Sequence, residues 1–350
     1  MSATTALLTT LFRRELDTES CTFETCDIEL SWYKYRPSLE ANATLTAIFG
    51  LSAIIFLIQG IVTRRFVGFT IAMVLGTVAE AVGYVGRILM WDNPWKQVPF
   101  MIQICCLTIA PAFLAAGIYF TLSRIVTTFG ADNSRIRPLW YPRIFIPCDI
   151  IALSLQGAGG GIASSSEDPD GADLGKNIMI AGLVAQVVTL SAFILLAVDF
   201  SIRAYRRMRS MGGDAALDPR HTRLRASFGF RAFLVALAVS TLTIFTRCVY
   251  RVAELSEGWD GPLMRDEPLF IVLEGVMIVI AVVVLNAFNP AICFKDGYDN
   301  DVSQGMKSGK LEAEMENETE TETETDSLNP VERSEDFETR YMDDVRLDRV

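Results

Sequence analysis

The sequence predicts an all-α polytopic membrane protein with seven transmembrane helices, the N-terminus outside and the C-terminus cytosolic. Three observations carry this fold class. Seven windows, 43–62, 67–90, 99–126, 144–162, 178–198, 232–250 and 269–288, are almost wholly apolar. About 20 such residues at 1.5 Å rise cross a hydrocarbon core roughly 30 Å thick. Arginines alternate between the connections, as the positive-inside rule requires. Finally, no segment alternates apolar and polar residues at the ten-residue spacing of a membrane β-barrel.

Charge separates the chain into parts. The net charge of the 350 residues is −11. From position 295 onward seven Lys/Arg stand against eighteen Asp/Glu, which accounts for all of it, and residues 1–294 carry 24 of each sign. The expected organisation is an extracytoplasmic arm (1–42), a seven-helix domain (43–294) and a disordered acidic cytosolic tail (295–350).

The arm lacks the basic start and long apolar core of a cleaved signal peptide, so the first span serves as the insertion signal. Cys21 and Cys26 can bridge if the arm lies outside. Asn42-Ala43-Thr44 is a glycosylation sequon, but it abuts the membrane too closely to be occupied. The first and third connections carry Arg64, Arg65, Arg135, Arg137 and Arg143. The fifth, 203–231, carries the largest basic cluster, from Arg203 to Arg225, suited to anionic headgroups. The opposite connections hold only Lys96, Lys176 and Arg265, with Arg251 at a helix end, and 163–176 reads as an acidic outer loop. In the tail, Thr319, Thr321, Thr323, Thr325 and Ser327 lie in acidic context and are phosphorylation candidates. A solvated tail without switch function is the plainer reading.

Ionisable residues inside spans are functional hypotheses, because each costs about 2.5–3.5 kcal/mol at mid-bilayer. In the second span Glu80, Tyr84 and Arg87 share one face at i, i+4, i+7 spacing. In the sixth, Arg247, Arg251 and Glu254 repeat it, with Tyr250 beside them. The seventh adds Glu274, the fourth Asp149 and Gln156, and the fifth Gln186. The topology places most of these in the outer half, where they would line an outward-opening polar vestibule, with Asp149 as a separate inner station. Arginines would meet anionic or hydroxylated headgroups, and carboxylates would meet an ammonium or exchange protons. Pro111 and Pro147 fall within spans, where neighbours must satisfy the carbonyls they free.

Several function classes are excluded. One histidine (His221) cannot build a three-histidine metal site or a paired-histidine haem site, and no Cys/His spacing suggests zinc. No span contains a lysine for a retinal Schiff base. The run 157–161 (GAGGG) follows no strand and lacks the closing Gly-Lys-Ser/Thr of a phosphate loop, so close helix packing or a flexible helix end explains it better. No enzyme activity, cofactor or nucleic-acid partner is expected. The partners expected are membrane lipids or amphiphilic small molecules.

These residues resemble the fungal lipid-translocating exporter family, seven-helix proteins of the aminocholesterol-resistance type. The matching stretches are 33–38 (YKYRPS) with Asn42, 80–87 (EAVGYVGR), Ala110-Pro111 with 115–119 (AAGIY), and Asp149 with 156–161 (QGAGGG). Gly182 with Gln186, and 247–254 (RCVYRVAE) ahead of Gly258 and Glu267, complete the set. Asn289-Pro290-Ala291 departs from an expected His-Pro-Gly, Ile271 stands where Tyr is expected, and Glu274 where Asp is usual. The resemblance implies plasma-membrane or endomembrane residence, release of sphingoid long-chain bases and resistance to sterol-like toxic amphiphiles, with porphyrin handling in one branch. The alternative is a seven-helix receptor or regulator of lipid asymmetry that transports nothing itself.

Overall fold

A computed structural model describes residues 21–129, 134–166, 168–210, 224–225, 227–258 and 261–294. The tail with its phosphorylation candidates, His221, Arg220 and Arg223 lie outside the described residues.

Among the described residues, seven helices are long and apolar enough to cross a membrane. They are α1 (Leu39–Thr63), α2 (Val67–Asp92), α3 (Gln97–Phe129), α4 (Trp140–Ser165), α5 (Pro169–Ser210), α6 (Phe228–Ser256) and α7 (267–287). Among the described residues there is no strand. Each helix packs on its chain neighbours and α7 returns to α1, while α3, the most buried, also touches α6. The bundle is apolar outside as well as inside. On α1 alone Leu51, Ile54, Ile61 and Val62 are more than half exposed, the pattern of a helix whose solvent is hydrocarbon.

Local chemistry sets the helix ends. Ser38 N-caps α1, its hydroxyl accepting from the Ala41 amide. The α1–α2 turn holds Arg64 and Phe66 in the left-handed region, at φ 50° and 54°. It folds α2 back so tightly that a Cβ on Gly60 would lie 2.2 Å from Thr70 Cγ2.

Helix α5 differs from expectation. It starts at Pro169 and runs for 42 residues to Ser210, so most of the acidic segment 163–176 and the arginines at 203–209 are helical rather than loop. Pro169 and Asp170 suit a helix start, the one by its fixed φ and the other by its charge at the positive end of the dipole. Arg225 is buried and donates to the Thr128 carbonyl at 3.0 Å, so it is a packing residue rather than a headgroup contact.

Small residues bring α4 against α5. A Cβ on Gly159 would sit 2.5 Å from the Met179 amide nitrogen, and one on Gly175 would meet the Ala163 nitrogen at 2.4 Å. Gly157 and Gly161 face open space instead. The glycine run is therefore a packing device on one side and a smooth wall on the other.

The described part of the arm packs across one end of the bundle. Cys21 and Cys26 form a disulfide with Cα atoms 5.6 Å apart. Trp32 stacks on Phe100 at 4.6 Å and donates to the Trp95 carbonyl, while Trp95 donates to that of Asp27. The Arg36 guanidinium lies 4.0 Å over the Trp91 ring.

Candidate functional site

Proline 111 begins the site. It sits inside α3 and has no N–H, so the carbonyl four residues earlier, on Leu107, loses its helical donor. Arg247 of α6 supplies one, its Nη2 lying 2.5 Å from the Leu107 oxygen. The same guanidinium pairs with Glu274 of α7 at 2.7 Å and lies 3.4 Å from Glu80 of α2. One arginine thereby ties together α2, α3, α6 and α7.

The backbone at Glu274 is unusual. Residues Ile271–Val276 form a π turn within α7, between the α-helical Glu267–Phe270 and Met277–Ala287. Such insertions re-aim side chains and recur at functional positions. Gly275 follows Glu274 because α7 runs close to α2 there, and a Cβ would come within 3.0 Å of the Tyr84 hydroxyl.

Toward the arm the network continues. Arg251 pairs with Glu254 one turn along α6, and its Nε is 3.9 Å from Glu274. Arg87 donates to Asn42 Oδ1 (3.0 Å) and to the Tyr35 hydroxyl (2.9 Å), pairs with Glu267 (3.4 Å), and lies 4.1 Å from the centre of the Phe270 ring. Glu267 also accepts from the Ser38 amide at 2.7 Å, fastening the arm to α7. Burial holds the Tyr33 and Tyr35 phenols above their ordinary range, against the pull of Arg87, so both stay neutral.

Glu80, Arg87, Arg247, Glu254 and Glu274 are each at most 1% exposed. Three carboxyl groups (Glu80, Glu254, Glu274) thus face two guanidiniums (Arg247, Arg251), with Arg87 balanced by Glu267. Neither Glu80 oxygen makes a hydrogen bond, nor does Glu274 Oε2 or the Tyr84 or Tyr250 hydroxyl.

The expected residues therefore fall into two groups. Glu80, Arg247, Arg251, Glu254 and Glu274 come together, with Tyr84 stacked on Phe49 beside them and Arg87 linking them to the arm. Asp149, Gln156 and Gln186 lie apart, on α4 and α5. Gln156 donates to Gln186 at 3.1 Å. Asp149 is 4% exposed and no hydrogen bond reaches its oxygens; its electrostatic neighbour is the Tyr119 hydroxyl.

The open vestibule needs correcting. In this conformation the charges form a closed ionic core, because carboxyl and guanidinium groups pair with one another when water is excluded and the arm covers their end. A shallow depression lined by Tyr35, Arg265 and Glu267 lies over them instead. Asn42, legible as a sequon and as part of the family-like stretch 33–42, is fully buried on Arg87 and unavailable to a glycan.

The family model described as RTA1 like protein matches residues 73–297, which contain every charged group of the core. The chain belongs to the RTA1-like family. This RTA1-like chain is 34% identical over 281 residues to a protein named sphingoid long-chain base transporter RSB1 from Saccharomyces cerevisiae (strain Lalvin EC1118), covering 74% of this chain and 73% of that one. It is 28% identical to protein RTM1 of Saccharomyces cerevisiae, over 61% of this chain and 65% of that one. To protoporphyrin uptake protein 1 of the same species (strain S288c) it is 27% identical, over 64% and 68%. No solved structure matches. Seven apolar helices together with family membership make it a multi-pass membrane protein of the RTA1-like family, with relatives in a fungus.

Proposed function

We propose that this protein translocates lipids or amphiphiles across the plasma membrane, with sphingoid long-chain bases as the substrate class and resistance to toxic sterol-like compounds as the outcome. The observation that carries the reading is the ionic core, in which three carboxyl groups meet two guanidiniums at a depth where unpaired charge is costly. With all three carboxyls ionised, the core is one cation short. A substrate ammonium or a proton completes it, and the resulting change of pairing around Arg247 is a means of shifting α6 against α7. The name of the 34% identical relative supports the substrate class.

In this reading the arm is extracytoplasmic, as the arginine-rich opposite connections require, and the tail is cytosolic. The protein acts as a carrier, not an enzyme.

The test is efflux of a labelled long-chain base from cells lacking related proteins. Expression should raise efflux, and Glu80→Gln or Arg247→Gln should abolish the increase. Unchanged efflux, or full activity in both variants, would overturn the reading. The ordered arm across the bundle end favours a second one, a receptor that senses amphiphiles. Purified protein that moves no lipid in liposomes, yet confers resistance in cells, would select it.

A further inference from the structure

We propose that the cleft between α3, α4 and α5 at the arm end is the binding groove for a single-chain amphiphile whose head carries hydrogen-bond donors. The cleft has a volume of about 400 Å³, within the ordinary range of small-molecule sites. Its walls are apolar, formed by Phe100, Ile104 and Ile109 of α3, Leu153 of α4 and Met179 of α5. On α4 the wall is smooth, because Gly157 and Gly161 leave open the space a side chain would fill. The exposure of Cys105 and Ile109 places one flank on the lipid-facing surface, so a tail can enter sideways.

The polar atoms select the head. Gln156 lines the groove and is 3% exposed, with its amide nitrogen committed to Gln186. Its own Oε1 has no donor, a buried acceptor of the kind that native structures rarely leave unmatched. At the mouth, Lys176 is neutralised by Asp173 at 3.0 Å. An entering head therefore meets acceptors and no free cation, which suits an ammonium or hydroxyl and disfavours a carboxylate. Trp32 of the arm closes the top.

This inference rests on the amphiphile reading but puts the ligand away from the ionic core, none of whose charged residues lines the groove. The native thiol of Cys105 on the wall makes it testable. Purified full-length Cys106→Ala/Cys148→Ala protein is reacted with N-ethylmaleimide, with and without a long-chain 2-amino-1,3-diol, and modification of Cys105 is followed by mass spectrometry. The amino diol should slow modification at least fivefold and a fatty acid of equal length should not. Gln156→Leu should raise the amino-diol concentration needed for half-maximal protection at least tenfold. Gly157→Leu, whose new side chain enters open space rather than a helix contact, should remove it. Equal labelling at every amino-diol concentration up to its aggregation limit overturns the groove. Flux in liposomes without protection sinks the groove and leaves translocation standing, whereas protection without flux does the reverse.

Discussion

Arg247 donates to the Leu107 carbonyl, the one group in α3 that Pro111 deprives of its helical N–H. A helix breaker on one span and a buried cation on another thus answer each other. Arg247→Met orphans that carbonyl and leaves Glu274 only its 3.9 Å contact with Arg251, at an expected cost of about 3–5 kcal/mol. In a Pro111→Ala background the carbonyl regains its own donor, so the same change should cost about 1–3 kcal/mol less. Thermal unfolding of the four proteins in detergent measures the difference. Strict additivity would show that the carbonyl contact contributes nothing.

The two carboxylates around Arg247 are unequal. Glu274 makes the 2.7 Å bond, and Glu274→Gln should destabilise the fold by about 3 kcal/mol. Glu80 lies 3.4 Å away without a hydrogen bond, so Glu80→Gln should leave stability within about 1 kcal/mol of the parent while abolishing efflux. A Glu80→Gln protein as unstable as Glu274→Gln would make Glu80 a structural residue.

Asp149 has no cation beside it among the described residues, and no hydrogen bond reaches its oxygens. A buried carboxyl in that state gives the fold little, so Asp149→Asn should leave the unfolding temperature unchanged or raised. Efflux of a long-chain base should fall at least tenfold. Loss of stability with normal efflux per folded molecule would reverse the assignment.

Arg87 uses its planar fork on Asn42, Tyr35 and Glu267 at once. Lysine cannot reproduce that geometry. Arg87→Lys should cost about 2–3 kcal/mol and loosen the arm, seen as faster proteolysis between Cys26 and Ser38. An arm as resistant as in the parent would mean that the tryptophan and disulfide contacts hold it without Arg87.

Much of the site was legible as spacing. Glu80, Tyr84 and Arg87, and likewise Arg247, Arg251 and Glu254, announce single helix faces, and charge within an apolar window marks them as unusual. The partners were not legible. That Arg247 meets Glu274 and Glu80, whereas Arg251 turns to Glu254, depends on the crossing of α6 with α7 and α2. Asn42 and Glu267 stand out only within the family-like motifs, and their pairing with Arg87 leaves no local signal because each lies near a helix start, where polar residues are ordinary. The π turn at Ile271–Val276 left no signal, since its composition is that of any apolar helix.

The sequence by itself determined seven spans, their boundaries to within a few residues for most, and the family, because hydrophobic length and ordered motifs are properties of the chain alone. It also confined the excess negative charge to residues 295–350 and left the helical body neutral. Only the tertiary structure decided how that neutrality is spent. Charges spread over three helices close, with a backbone carbonyl of a fourth, into a core of three carboxyl groups and two guanidiniums, Gln156 is left with an unmatched acceptor in an apolar groove, and the arm lies across the end of both. Those outcomes depend on which helix faces meet, and long-range packing, not local sequence, sets that.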